Sequence, residues 1–249
     1  TTSNGLRALD FLVARHESLR TTFDRPDQEP VQVIADTGHL ALEGIDATCM
    51  DRSELDAKLH QLIHLPFDLS RGPLLHVYLL RHGSNEHTLL FVIHHIIADA
   101  WSLDILYREL VSAYTAALHH STPDLPELVI QCADYAEWQR DWLAGEQLQK
   151  QLDYWQAQLA AAPTLLELPL DRSRPRIQTH NGSTVERLLP PKLAEELKQL
   201  AQKSGCTLFI LYLAAFNILL GRYAAADDVV VGTPIAGRKR TELEGLIGF

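Results

Sequence analysis

The chain has 249 residues, 46% apolar and 22% charged, a profile that fits a globular protein with a sizeable core and excludes a disordered or low-complexity one. Twenty-two basic against thirty-two acidic residues leave a formal charge of -10, which repels polyanions and argues against nucleic acid and anionic membrane as partners. Cys49, Cys132 and Cys206 are odd in number and far apart, so they suggest neither a disulfide framework nor a zinc site and fit a reducing, cytoplasmic compartment.

Arg7, Asp10 and Arg15 interrupt the apolar residues of the N-terminus, so no signal peptide is expected there. Leu6, Leu9, Leu12, Val13, His16 and Leu19 recur at steps of three and four, which predicts an amphipathic helix running towards Arg20 and leading into extended chain. Residues 31–35 and 40–45, bounded by Pro30, Gly38 and Gly44, read as strands. A helix follows, with Ser53 as cap before Leu55, Leu59, Leu62 and Ile63, and Pro66 closing the stretch. Residues 74–80 and 88–94 are apolar runs of strand length around a turn, the pattern of a hairpin.

The second of these strands is expected to carry His94 and His95 at its end, just before a helical stripe of Leu103, Leu106, Leu110, Tyr114 and Ala117. Ser102 is the expected cap of that helix, with Asp104 favouring its positive end. Residues 133–159, with Tyr135 among them, predict further helix, broken at Gly145, in which Trp138, Trp142 and Trp155 are packing residues. The polar stretch with Pro169, Pro175 and an Asn181-Gly182 turn reads as a linker. Beyond it a strand is expected over 184–189, a helix opened by Pro190 and Pro191, a buried helix over 207–223 and a strand over 229–231. The apolar stretch 206–221 is shorter than the roughly 20 residues that span a bilayer, and Asn217 interrupts it.

The best candidate for chemistry is His94-His95-Ile96-Ile97-Ala98-Asp99. Adjacent strand residues face opposite ways, so one histidine faces a given cavity and the other is structural. The cavity-facing one can take a proton from a nucleophile or hold it for attack, although spacing alone favours two hydrogen-bonded structural histidines. Divergent histidines argue against a metal, and H-E-x-x-H is absent, its nearest match being His16-Glu17-Ser18-Leu19-Arg20. There is no G-x-S-x-G elbow, and the segment from Gly232 to Arg238 lacks the lysine and hydroxyl of a phosphate loop, which sets aside serine hydrolase and nucleotidase. Arg15 and Arg20 are either partners for a buried carboxylate or part of a solvated helix face.

Taken together, five segments resemble a condensation domain of a nonribosomal peptide synthetase. Arg15 to Phe23 resembles R-H-E-x-L-R-T-x-F, Pro66-Phe67-Asp68 with Gly72-Pro73-Leu74 resembles the next landmark, and His94 to Ser102 resembles H-H-x-x-x-D-G-W-S. Asp134 to Gln139 and Val231 to Arg238 continue the same order. The resemblance implies a chloramphenicol acetyltransferase-like α/β (α+β) fold: residues 1–168 an N-terminal subdomain with the histidine motif, 169–183 a linker, and 184–249 the incomplete start of a second subdomain. It implies a tunnel between the subdomains, with a donor and an acceptor peptidyl carrier domain at its two mouths. Each carrier brings its own 4'-phosphopantetheine, the domain binding no cofactor or metal itself, and an adenylation domain adjoins in the synthetase.

On this carry-over His95 lies at the attacking amine as base or orienting group, and His94 packs on the other side. Asp99 is structural, paired with an arginine, Arg20 ahead of Arg15. Ala100 departs from the family's glycine, placing a methyl group where the backbone approaches the tunnel or adopts a permissive conformation. The family's opening motif is missing before Thr1 and the chain ends inside its next landmark, so the isolated chain is expected not to complete amide formation. The competing readings are a coenzyme A-dependent acyltransferase, an epimerisation domain, and a degenerate domain that recruits a partner.

Overall fold

The apolar stripe Ala8, Leu9, Leu12 and Val13 folds as α1 (Thr2–Arg15) in the computed structural model, which describes residues 2–179 and 182–249. His16 takes extended backbone and stops the helix, and a 3-10 turn over Glu17–Arg20 delivers the chain to β1 (Thr21–Asp24). β1 pairs antiparallel with β2 (Val31–Ile34).

β3 (Leu42–Asp46) and β4 (Leu75–Arg81) are parallel, joined by the crossover helix α2 (Arg52–Ile63). β5 (His87–Ile93) returns antiparallel to β4, giving the order β3-β4-β5. β4 lies in the middle and is covered on both faces, which explains its nearly continuous apolar sequence. Leu75 and Val77 pack with Leu9, Leu12, Ile105 and Leu106 of the flanking helices. Tyr78 and Leu80 face the other way, against Leu62 and Val92. The cap of α2 is Asp51 rather than the expected Ser53. Asp51 has the extended backbone that a cap needs, and its carboxylate and that of Glu54 bond each other's backbone amides, whereas Ser53 already lies in the first turn.

α3 (Ala100–Leu118) is followed by α4 (Cys132–Trp142) and α5 (Gly145–Leu159), and the expected break at Gly145 is present, with φ at +58°. The tryptophans expected to pack are partly exposed: Trp138 and Trp142 stack on one another, and the Arg240 guanidinium lies 4.5 Å from the Trp138 ring centre.

Two compact units emerge, residues 1–147 with 235–249 and residues 148–234. The first division thus falls in the opening turn of α5, ahead of the expected linker at 169–183, and the last fifteen residues belong to the first unit because Leu243, Leu246 and Ile247 are buried there. In the second unit α6 (Pro191–Lys203) opens with Pro191, and Thr207 caps α7 (Leu208–Ala224). Contrary to expectation α7 exposes Phe209, Ile210, Phe216, Ile218, Leu219 and Tyr223. Residues 184–189 and 229–231 form no strand, since a β-prone run needs a neighbour to complete its ladder and this unit has no strand among the described residues. The expected Asn181-Gly182 turn lies outside the described residues in its first member. No single helix among the described residues is long and apolar enough to cross a membrane.

Candidate functional site

β5 ends at Ile93, so His94 and His95 sit in the turn after it and not on the strand as expected. They diverge for a different reason. The His94 amide still bonds the Leu74 carbonyl at 2.9 Å and its carbonyl accepts from the Ile97 amide at 3.1 Å, which fixes the turn. The His94 ring folds back: Nδ1 accepts from the Ile96 amide at 3.1 Å, and the ring meets Phe67 at right angles with centres 5.6 Å apart. His95 is exposed, touches the Phe249 ring edge-to-face at 4.9 Å, and makes no hydrogen bond to the described residues. Its imidazole nitrogens are open to a substrate, and those of His94 are not both so.

Asp99, five residues on from His94, is the cap of α3, a role expected of Ser102. Its Oδ1 accepts from the Ser102 amide at 2.8 Å and from the Ser102 hydroxyl at 2.6 Å. Ser102 is fully buried in the first turn, where its Oγ also meets the amide and carbonyl of Gly248 at 3.1 and 2.8 Å. One hydroxyl proton serves both Asp99 and the Gly248 carbonyl, and the oxygen accepts from the Gly248 amide. Arg238 completes the cluster, with Nη2 at 3.3 and 3.4 Å from the two Asp99 oxygens and 3.1 Å from the Gly248 carbonyl, and Nη1 bonded to the Leu243 carbonyl at 3.0 Å. Burial alone raises the Asp99 carboxyl, but the Ser102 bonds and the Arg238 charge outweigh it and hold the group below the usual carboxylate value. The arginine expected beside Asp99 is therefore Arg238, neither Arg20 nor Arg15.

Both of those arginines pair elsewhere. Arg15 Nε bonds Glu109 Oε2 at 3.0 Å, and its Nη2 bonds the Pro126 carbonyl. His16, 1% exposed, bonds the same carboxylate oxygen through Nε2 at 2.8 Å. Glu109, 3% exposed, thus ties the end of α1 to the middle of α3. Burial pushes its carboxyl up, and His16 and Arg15 together bring it below the ordinary value. Arg20 instead bonds the Ala35 carbonyl at 2.6 Å and pairs with Glu17 at 3.5 Å. Ala100, the first residue of α3, is exposed and has no positive φ, so its backbone does not need a glycine.

A cavity of about 210 Å³ adjoins the histidine turn, lined among others by Ser18, Phe23, Ile96, Ile97, Ala136 and Phe249. Cys132 borders it, its thiol pushed up by burial. No three His, Cys, Asp or Glu side chains gather in a metal-binding group among the described residues. Sequence reasoning missed Glu109, Gly248 and Phe249. It had Arg238 within a recognised segment without assigning it a partner, because a contact spanning 139 residues leaves no local spacing to read.

A family model described as "Condensation domain" matches residues 6–249. A linear gramicidin synthase of Brevibacillus parabrevis is 47% identical over 247 residues, covering 98% of this chain and 3% of that protein. The phosphinothricin tripeptide synthetase PhsC of Streptomyces viridochromogenes is 40% identical, over 97% of this chain and 23% of its own length. The chain therefore spans a small part of the curated relatives it matches. Among solved structures, the X-domain from teicoplanin biosynthesis superposes with a TM-score of 0.87 at 33% identity, covering 99% of this chain and 55% of that one. These matches bear out the chloramphenicol acetyltransferase-like α/β fold expected from the sequence.

Proposed function

Because this chain belongs to the condensation-domain family, we propose that it forms an amide bond between a carrier-bound acyl or peptidyl thioester and the amine of a carrier-bound aminoacyl thioester. The observation that carries this reading is His95: exposed, without a hydrogen bond to the described residues, and set on a turn fixed from both sides by the β4–β5 ladder and the Asp99–Ser102–Arg238 cluster. An imidazole so placed meets the acceptor amine, orients it and takes its proton. The amine nitrogen attacks the donor carbonyl, the carbon–nitrogen bond forms and the carbon–sulfur bond breaks. The donor carrier's thiol leaves with a proton, and the lengthened chain stays on the acceptor carrier. Asp99 acts through structure, capping α3 and neutralising Arg238, and does not touch the substrate.

The partners on this reading are donor and acceptor peptidyl carrier domains, each supplying its own 4'-phosphopantetheine, and an adenylation domain of the same synthetase in the cytoplasm. A second reading has one observation in its favour: the similar X-domain has been solved in complex with OxyB, so a domain of this fold can serve recruitment. One experiment separates them. A synthetase containing this chain, supplied with both loaded carriers, is analysed by intact-mass spectrometry of the acceptor carrier. Acyl transfer to the acceptor carrier supports condensation; carriers that bind while the acceptor mass stays unchanged support recruitment.

A further inference from the structure

We propose that Phe249 is a positioning residue for His95, clamped in place by the peptide of Gly248. His95 has no hydrogen bond to the described residues, so the polar network does not set its rotamer. What touches its ring is Phe249, with centres 4.9 Å apart and planes at 87°, the edge-to-face arrangement that aromatic quadrupoles favour. The Phe249 ring itself is largely exposed, so burial does not fix it either.

Its backbone does. The preceding peptide is gripped by Ser102 Oγ, at 3.1 Å from the Gly248 amide and 2.8 Å from the carbonyl, and by Arg238 Nη2 at 3.1 Å from that carbonyl. The grip requires close approach. A Cβ at position 248 would collide with Cys132 Sγ and stand 2.8 Å from Cys132 Cβ, so no side chain fits there without displacing the backbone. A chain of contacts results: Asp99 and, through Nη2 at 3.3 Å from Oγ, Arg238 hold Ser102, Ser102 and Arg238 hold Gly248, and Gly248 sets the Phe249 ring against His95. Asp99 thereby influences an imidazole that it does not touch. The same Phe249 also lines the cavity beside Ile96, so its ring borders the space next to the histidine turn.

This inference rests on the condensation reading for its purpose and on the contact alone for its geometry. The experiment is NMR of the chain with labelled histidine and phenylalanine, paired with single-turnover condensation in the synthetase that contains it. The wild type shows nuclear Overhauser contacts between the His95 and Phe249 rings, Phe249→Ala moves the His95 ring signals to the position of a freely exposed histidine, and Phe249→Tyr restores them. Gly248→Ala, which alters neither ring, loses the contacts, and the pair Cys132→Gly with Gly248→Ala regains them by removing the colliding atoms. Misplacing a catalytic group by about 1 Å costs on the order of 100-fold, so Phe249→Ala lowers the maximal condensation rate by roughly 10- to 100-fold while carrier KM is kept. His95 signals that are identical in wild type and Phe249→Ala overturn the proposal. Wild-type ring contacts without any amide formation leave the positioning geometry standing and overturn the condensation reading instead.

Discussion

Replacing Asp99 by alanine removes two things at once, and the structure sets the size of each. The first is the cap of α3: the 2.8 Å bond from the Ser102 amide disappears, at a cost of about 1 kcal/mol. The second is the carboxylate partner of Arg238 and of the buried Ser102 hydroxyl. The Arg238 contacts of 3.3 and 3.4 Å are longer than a strong charge-assisted bond, Asp99 retains some solvent contact, and Arg238 keeps its bonds to the Gly248 and Leu243 carbonyls. The penalty therefore lies below that of a fully stranded ion, at about 2 kcal/mol. Together Asp99→Ala loses about 3 kcal/mol, or roughly 6 to 12 °C in Tm for a protein of this size. Asp99→Asn keeps an uncharged acceptor for the cap and loses about 1 kcal/mol. The assay is urea unfolding of single and double variants. Asp99→Ala and Arg238→Ala should be non-additive by about 1 to 2 kcal/mol, whereas Asp99→Ala and Arg20→Ala, which share no partner, should add within about 0.5 kcal/mol. Additivity with Arg238 and coupling with Arg20 would refute the reasoning and reinstate the partner expected from the sequence.

Glu109→Ala strands Arg15 and the buried His16 and should cost roughly 3 to 5 kcal/mol, read as early melting, while Glu109→Gln, which keeps an acceptor, costs less. The folded values of Asp99 and Glu109 lie below their ordinary 3.8 and 4.5, so the folded state binds fewer protons than the unfolded one. Their stabilisation is complete above those values and is lost as pH falls through the folded ones; acid unfolding followed by tryptophan fluorescence should show the loss, and Glu109→Gln should flatten it. His94→Ala should reduce stability by about 1 to 2 kcal/mol, because the ring accepts the Ile96 amide and packs on Phe67, and equal melting of variant and wild type would contradict this. Ala100→Gly should cost under about 1 kcal/mol of stability and bring no gain in turnover, since the ordinary backbone of Ala100 asks for no glycine.

Much of the fold is legible where the signal is local. The stripe of α1, the apolar runs of β4 and β5 and the break at Gly145 each follow from spacing over a few residues, and the structure has all of them. The Asp51-Arg52-Ser53-Glu54 capping box is equally local, yet the serine inside it competes for the role of cap. The second unit is legible only in its helices. Its β-prone runs at 184–189 and 229–231 need partner strands that no local pattern supplies, and the apolarity of α7 does not say what covers it. The site divides in the same way. His94, His95 and Asp99 are close in sequence and stand out together, but the Asp99–Arg238 pair joins residues far apart in the chain, and Arg15 and Arg20 attract the assignment only by lying near a helix end. The divergence of the two histidines is expected from strand alternation and arises instead from a turn held by backbone bonds.

The central claim is that His95 meets the reacting amine, and it is tested most directly by the single-turnover rate of amide formation in the synthetase containing this chain, wild type against His95→Ala, with both carriers loaded and saturating. A general base contributes roughly 100- to 10,000-fold, so the variant should lose that much rate. Its melting should stay near wild type, because the exposed ring has no hydrogen bond to the described residues to lose. Wild-type amide formation by His95→Ala would contradict the account and leave the histidine turn a structural feature.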